Sequence, residues 1–222
     1  AVIKAVDEYQ DMLRVSVASA GNDHRLGGSE APPAIMSIYI GEDLTEVLDS
    51  IVKKEDHNCA DSMELETGVG FLPQFKKDTT DRNRTSPFAF TGNRFEFRMP
   101  GSSLSIAGIN TILNTIVAEE LSIIADRLEK TDDIKREIFH IVRKTVRENS
   151  RIIFNGNNYS EEWVEEAQCR GLLNLKTTPE ALPYMLSDKN ISLFERHGVF
   201  TKEELKSRYE ILMENYCKTV HI

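Results

Sequence analysis

Arg82-Asn83-Arg84 places two guanidiniums at i and i+2, on one side of the chain if the segment is extended. Arginine is favoured where a carboxylate or phosphate must be held by a planar pair of hydrogen bonds, so the two residues are a candidate anion contact. They sit in a basic island of an acidic chain: Lys76, Lys77, Arg82, Arg84, Arg94 and Arg98 stand against Asp78, Asp81 and Glu96. The plainer alternative is a set of exposed surface arginines. Phe95-Glu96-Phe97-Arg98 carries a second candidate. Strand alternation puts Phe95 and Phe97 on one face and Glu96 and Arg98 on the other, with the Cα atoms of the polar pair ~7 Å apart. That spacing suits a simple salt bridge. It equally suits a sheet face lining a cavity, with Glu96 holding a hard cation such as Mg²⁺ and Arg98 binding an anionic substrate. The third candidate is the run from Asn22 to Pro33, where Arg25 and Glu30 are five apart in a glycine-bearing loop that could present a carboxylate over a site. An exposed loop is the alternative there.

These residues need elements to hold them. Val2, Ile3, Val6, Tyr9, Leu13 and Val17 recur at helical spacing, so residues 1–19 read as an amphipathic helix ending before Gly21. After a Gly/Pro-rich loop, 34–40 reads as a short buried strand and 43–54 as a brief helix, while 55–80 is loop-rich. Phe88–Thr91 and Arg94–Met99, joined by Gly92-Asn93, form a predicted hairpin. Beyond Gly101 the pattern changes. Ile109, Ile112, Leu113, Ile116, Val117, Leu121, Ile124 and Leu128 make a broad apolar stripe, predicting a long core helix capped by Ser102 or Ser103. Further helices are expected at about 132–153, 160–171, 179–186, 189–197 and 201–217. The chain therefore divides into an α+β part, 1–101, that holds the hairpin, and an all-helical part, 102–222.

Asp and Glu outnumber Lys and Arg by 36 to 27 over 222 residues, a formal charge of −9. That balance argues against general nucleic-acid binding. No apolar run approaches the ~20 residues that cross a bilayer, and the first residues resemble no signal peptide, so a membrane role is not expected. Cys59, Cys169 and Cys217 are scattered without metal-ligand spacing, which suits a reducing cytoplasm. The histidines His24, His57, His140, His197 and His221 read as structural or exposed, Arg143, Arg147 and Arg151 as a solvated helix face, and Trp163 as a packing anchor. Because the chain starts at Ala1 directly in a helical pattern, it is expected to be a piece of something longer.

The run Asn22-Asp-His-Arg-Leu-Gly27, the stretch from Asp81 to Gly101 and Ser105-Ile-Ala-Gly-Ile-Asn-Thr-Ile-Leu-Asn114, in this order, resemble the C-terminal part of a glutamine synthetase catalytic domain, with the wording of the large type III members. The resemblance implies an α+β fold with an incomplete, antiparallel piece of the catalytic sheet followed by a helical tail. It implies an ATP-dependent ligase that joins ammonia to L-glutamate through γ-glutamyl phosphate, with Mg²⁺ or Mn²⁺. Arg25 would bind glutamate and Glu30 would accept a proton from ammonium. Arg84, with Arg82 beside it, would contact ATP phosphates and the acyl phosphate. Glu96 would be one metal ligand, and Arg98 would hold the substrate carboxylate or the transferring phosphoryl. Fixed cations facing developing phosphoryl charge are the expected means of stabilising such a transfer.

Three departures stand out. Arg25 and Glu30 are one residue closer than in commoner members, Ala89 occupies a position where those carry an arginine, and about 41–80 is an insertion relative to compact members. The family's other metal and nucleotide ligands lie upstream of this stretch, so the isolated chain is expected to be inactive. Two other roles remain open: residues 102–222 as a helical assembly module in a ring-forming protein, or a non-catalytic homologue that binds an anion.

Overall fold

Side-chain caps mark where most helices begin. The Ser105 hydroxyl accepts from Ala107 N, Asp133 from Arg136 N, Ser160 from Trp163 N and Ser187 from Asn190 N. Thr177 and Glu180 form a reciprocal capping box with Pro179 in the first turn, and Thr201 and Glu204 exchange the same pair of bonds. The computed structural model describes residues 1–28, 30–53 and 85–220. Its helices are α1 (Val2–Glu8), α2 (Gln10–Ser16), α3 (Ala20–Arg25), α4 (Glu42–Lys53), α5 (Ile106–Leu128), α6 (Ile134–Glu148), α7 (Glu161–Cys169), α8 (Thr178–Ala181), α9 (Asp188–Arg196) and α10 (Lys202–Val220). Tight helical turns at Ser150–Ile152 and Leu182–Leu186 and three strands, β1 (Ile38–Tyr39), β2 (Phe88–Phe90) and β3 (Phe95–Phe97), complete the described elements.

Residues 1–19 depart from the expected single amphipathic helix. The helix breaks at Tyr9, and Gly21 does not end it but lies in the first turn of α3, which Ser19 caps. The polar side is covered as well as the apolar one: Asp7, Gln10, Asp11 and Arg14 are all buried. Buried polar groups require partners, and later helices supply them. Arg151 Nε donates to Asp7 at 2.8 Å, Asn190 Nδ2 to Asp11 at 3.0 Å, and Gln10 Oε1 accepts from Leu173 N at 2.8 Å. Burial pushes the Asp7 carboxyl above its ordinary range against the opposing pull of Arg151, and burial beside Glu119 and Glu8 raises Tyr9 to about 12.

The sheet is mixed rather than antiparallel. β2 and β3 form the expected hairpin, with Phe88 opposite Phe97, but β1 runs parallel to β2 and pairs Ile38 with Phe88. Gly92 supplies the positive φ of +90° at the turn. β1 and the segment before it also bridge to the C-terminal region, Ile38 to Ile153 and Ile35 to Asn174. One apolar cluster accordingly draws Met12, Leu13 and Ile38 together with Ile116, Ile152 and Phe194. Each such fully buried side chain contributes roughly 1.5–3 kcal/mol. The stripe on α5 is core only in its first half: Ile109, Ile112 and Ile116 are buried, whereas Leu121 is 53% exposed. Its cap is Ser105, not Ser102 or Ser103. Trp163 is buried, with Phe154 stacked on it at 3.8 Å. His197 is structural, its Nε2 2.7 Å from the buried Glu119 carboxylate, and Arg196 pairs with the same carboxylate.

Candidate functional site

α3 carries the first of the candidate residues and is held from both sides. Asn22 is buried and its Nδ2 donates to Val17 O at 2.9 Å and Met99 O at 3.2 Å, joining α3 to the end of the hairpin. Asp23 accepts from Arg14 Nη2 at 2.7 Å and from the Thr178 amide at 2.6 Å, joining the other side to α2 and α8. Neither residue has a predicted role, although both stand in the quoted motif. Between these anchors Arg25 leaves the helix end, its Nη1 donating to Met99 O at 2.9 Å and Asn22 Oδ1 at 3.1 Å. A guanidinium fixed on two acceptors keeps its remaining edge in a set direction.

The chain turns sharply after Arg25. Gly27 adopts φ +80°, and its amide donates to Ala31 O at 3.2 Å and Pro32 O at 3.0 Å. The Gly28 amide donates to Arg25 O at 3.2 Å. A Cβ on Gly28 would come within 3.1 Å of His24 O and 3.3 Å of Arg25 O, so the turn closes against backbone that cannot swing aside. This geometry delivers Glu30 back beside Arg25.

On β3 the predicted alternation is present. Phe95 and Phe97 meet Phe88, each at 5.7 Å between ring centres, while Glu96 and Arg98 share the opposite face. Glu96 Oε2 accepts from Arg98 Nε at 3.0 Å and Nη2 at 2.7 Å, and Arg94 approaches Oε1 at 3.5 Å. The salt-bridge reading therefore holds. Arg98 also lines a cavity of about 150 Å³ whose wall includes Arg25, Glu30, Ser86 and Tyr159. Arg25, Glu30 and Arg98 thus converge on one space, and Glu96, which is not part of its wall, is bonded to Arg98, which is. Arg82 and Arg84 lie outside the described residues. Ala89 is fully buried in β2, opposite Glu96.

A divalent cation of the Mg²⁺ type needs about six oxygen ligands. Among the described residues no group of three or more His, Cys, Asp or Glu is placed to hold a metal, and the one candidate ligand, Glu96, faces guanidiniums. The described residues do not by themselves fit a metal centre. What they line is a cavity whose wall brings Arg25, Arg98 and Glu30 together with apolar residues and with two hydroxyl-bearing ones, Ser86 and Tyr159. Sequence patterning gives no signal for those last two, because Tyr159 belongs to a loop more than 120 residues away from Glu30 along the chain.

Comparison with known proteins decides the lineage. Residues 137–222 match the family model described as the glutamine synthetase C-terminal domain. The whole chain is 50% identical over 224 residues to a glutamine synthetase of Butyrivibrio fibrisolvens, covering 32% of that protein. It is 48% identical over 225 residues to the type-3 glutamine synthetase of Dictyostelium discoideum, covering 31%. The chain belongs to the glutamine synthetase family. A glutamine synthetase of Bacteroides fragilis is a further relative, 42% identical over 228 residues with 31% covered. The chain thus spans about a third of the length of the curated relatives it matches.

Proposed function

We propose that this chain forms part of a glutamate–ammonia ligase, which uses ATP to convert the γ-carboxylate of L-glutamate to γ-glutamyl phosphate and then joins it to ammonia. The observation that carries this reading is the convergence of Arg25, Arg98 and Glu30 on one cavity. Arg25 and Arg98 offer fixed positive charge to a bound carboxylate and to the phosphoryl group as its charge spreads. Glu30 accepts a proton from ammonium; the freed ammonia then attacks the acyl carbon, and inorganic phosphate leaves as the C–O bond breaks. Arg82 and Arg84 are assigned to ATP and acyl-phosphate oxygens on their motif alone. Glu96 is assigned as one ligand of Mg²⁺ or Mn²⁺, with the other ligands coming from outside the described residues, and no step above depends on it.

The test is made on a full-length synthetase carrying this chain. Glutamine formation that depends on glutamate, ammonium and ATP, and that falls at least 100-fold in Arg98→Ala, is the expected result. Normal turnover in that variant overturns the assignment. Calorimetry with glutamate, ATP and Mg²⁺, alongside a Glu96→Ala variant, separates the ligase from a homologue that only binds an anion. The isolated 222-residue chain is expected to turn over no ATP.

A second reading concerns residues 102–222 as a helical assembly module in a ring of subunits. Ile106, Leu121, Ile134 and Ile138 are 68%, 53%, 55% and 45% exposed on α5 and α6, which favours burial against another subunit. Deleting 131–222 from the full-length protein and measuring its mass in solution tests this. An intact large oligomer would count against it.

A further inference from the structure

We infer that Tyr159 is a positioning residue for Glu30, an inference that rests on the ligase reading above. The Tyr159 hydroxyl donates to the Glu30 carbonyl oxygen at 3.2 Å, and the residue lines the same cavity as Arg25 and Arg98. The loop that presents Tyr159 is fastened at every turn. Asn155 Oδ1 accepts from the amides of Ile40 at 3.1 Å and Gly41 at 3.2 Å, and its Nδ2 donates to Thr45 Oγ1 at 2.9 Å. Asn158 is 1% exposed, accepts from Ser37 Oγ at 2.7 Å and donates its amide to Thr85 Oγ1 at 3.2 Å. The Tyr159 amide itself is held by Asn157 Oδ1 at 3.0 Å. Gly156 has no room for a side chain: a Cβ would fall 2.6 Å from Phe154 Cζ, and that ring is locked by its stack on Trp163.

A loop bonded this densely is a rigid platform, and what it supports is a turn with much less holding it. Glu30 is exposed, and the bonds of its turn are the amides of Gly27 and Gly28 closing on nearby carbonyls. The bond from Tyr159 is the long-range tether among the hydrogen bonds described for that turn. It fixes the Glu30 backbone, and through it the carboxylate, relative to Arg25 and Arg98. A carboxylate that must take a proton from ammonium gains from being held in place before the reaction. The tyrosine comes from the segment preceding α7, in the helical C-terminal region, so this region contributes to the site as well as to packing.

Tyr159→Phe in a full-length synthetase carrying this chain removes the hydroxyl and keeps the ring. The expected result is a fivefold to tenfold fall in kcat/KM for ammonium. KM for ATP should stay within about twofold, and ATP consumption should run ahead of glutamine formation, since an acyl phosphate waiting for ammonia is lost to water. Amide exchange at Gly27 and Gly28 should also quicken. A purely structural loss would lower all the kinetic constants together and leave coupling intact. Unchanged coupling and ammonium kcat/KM in Tyr159→Phe overturns the inference, whatever the exchange does. If the unaltered protein forms no glutamine, the ligase reading fails instead, and the exchange at Gly27 and Gly28 still decides whether Tyr159 holds the turn.

Discussion

Arg14 and Asp23 form a buried ion pair, 2.7 Å apart, with side chains 3% and 11% exposed. Arg14 also donates Nε to Leu175 O at 2.7 Å, while its Nη1 has no hydrogen-bond partner among the described residues. The pair joins α2, α3 and the start of α8, so it supports the helix from which Arg25 projects. Removing one charge from such a pair leaves the other buried without compensation. Asp23→Ala should therefore lower stability by about 3–5 kcal/mol in a denaturant titration. Replacing both residues, Arg14→Met with Asp23→Leu, should recover much of that loss. If the double variant is no more stable than Asp23→Ala, charge burial is not the cause.

Arg25→Lys tests the second use of a guanidinium in the same neighbourhood. An ammonium is a point charge and cannot keep both the Met99 carbonyl and the Asn22 side chain while facing the cavity. The KM for glutamate should rise at least tenfold, with stability changed by no more than about 1.5 kcal/mol for the lost hydrogen bond. An unchanged glutamate KM would remove Arg25 from substrate binding.

Asp7 sets a pH dependence whose sign follows from its burial. Its carboxyl lies above the ordinary value of 3.8 because burial outweighs the attraction of Arg151. The folded chain therefore binds more protons at this site than the unfolded chain, and Asp7 lowers stability as pH rises from 3.8 through the folded value. Asp7→Asn removes that slope. The stability of the unaltered chain relative to Asp7→Asn should decline across this window and level off above it. A difference that instead grows with pH there would mean that Arg151, not burial, controls the group.

Helix boundaries were legible where local chemistry sets them. Pro179 and Thr201 with Glu204 mark real starts, and Gly198 follows α9 with φ +61°. The hairpin and the shared face of Glu96 and Arg98 followed from period-two alternation. What could not be read was anything decided by a distant partner. A periodicity argument assigns Asp7, Gln10, Asp11 and Arg14 to solvent, and only the arrival of Arg151, Leu173, Asn190 and Asp23 makes their burial tolerable. The parallel pairing of β1 is of the same kind, since nothing in Ile38-Tyr39 states which strand it will meet. At the site, Arg25, Glu30 and Arg98 were visible as residue types in ordered motifs. Tyr159 was not, because an Asn-rich loop before a helix has no local reason to reach a carbonyl at position 30.

The turn between Arg25 and Glu30 gives the most specific test of how the site is built. Gly27 occupies φ +80°, which an L side chain adopts only with strain, yet open space surrounds it apart from Pro33 Cα at 3.9 Å. Gly28 has the reverse problem: a Cβ would press on His24 O and Arg25 O. Gly27→Ala should therefore cost about 1 kcal/mol through backbone strain while the turn keeps its path. Gly28→Ala shifts the turn against the α3 carbonyl oxygens by a few tenths of an ångström, since backbone gives way less readily than a side chain. Its effect should fall on ammonium use more heavily than on stability, since Glu30 shifts and the core is untouched. Thermal melts and ammonium kcat/KM measured on both variants would separate strain from displacement. Equal ammonium kcat/KM in Gly27→Ala and Gly28→Ala would show that the position of Glu30 is not set by this turn.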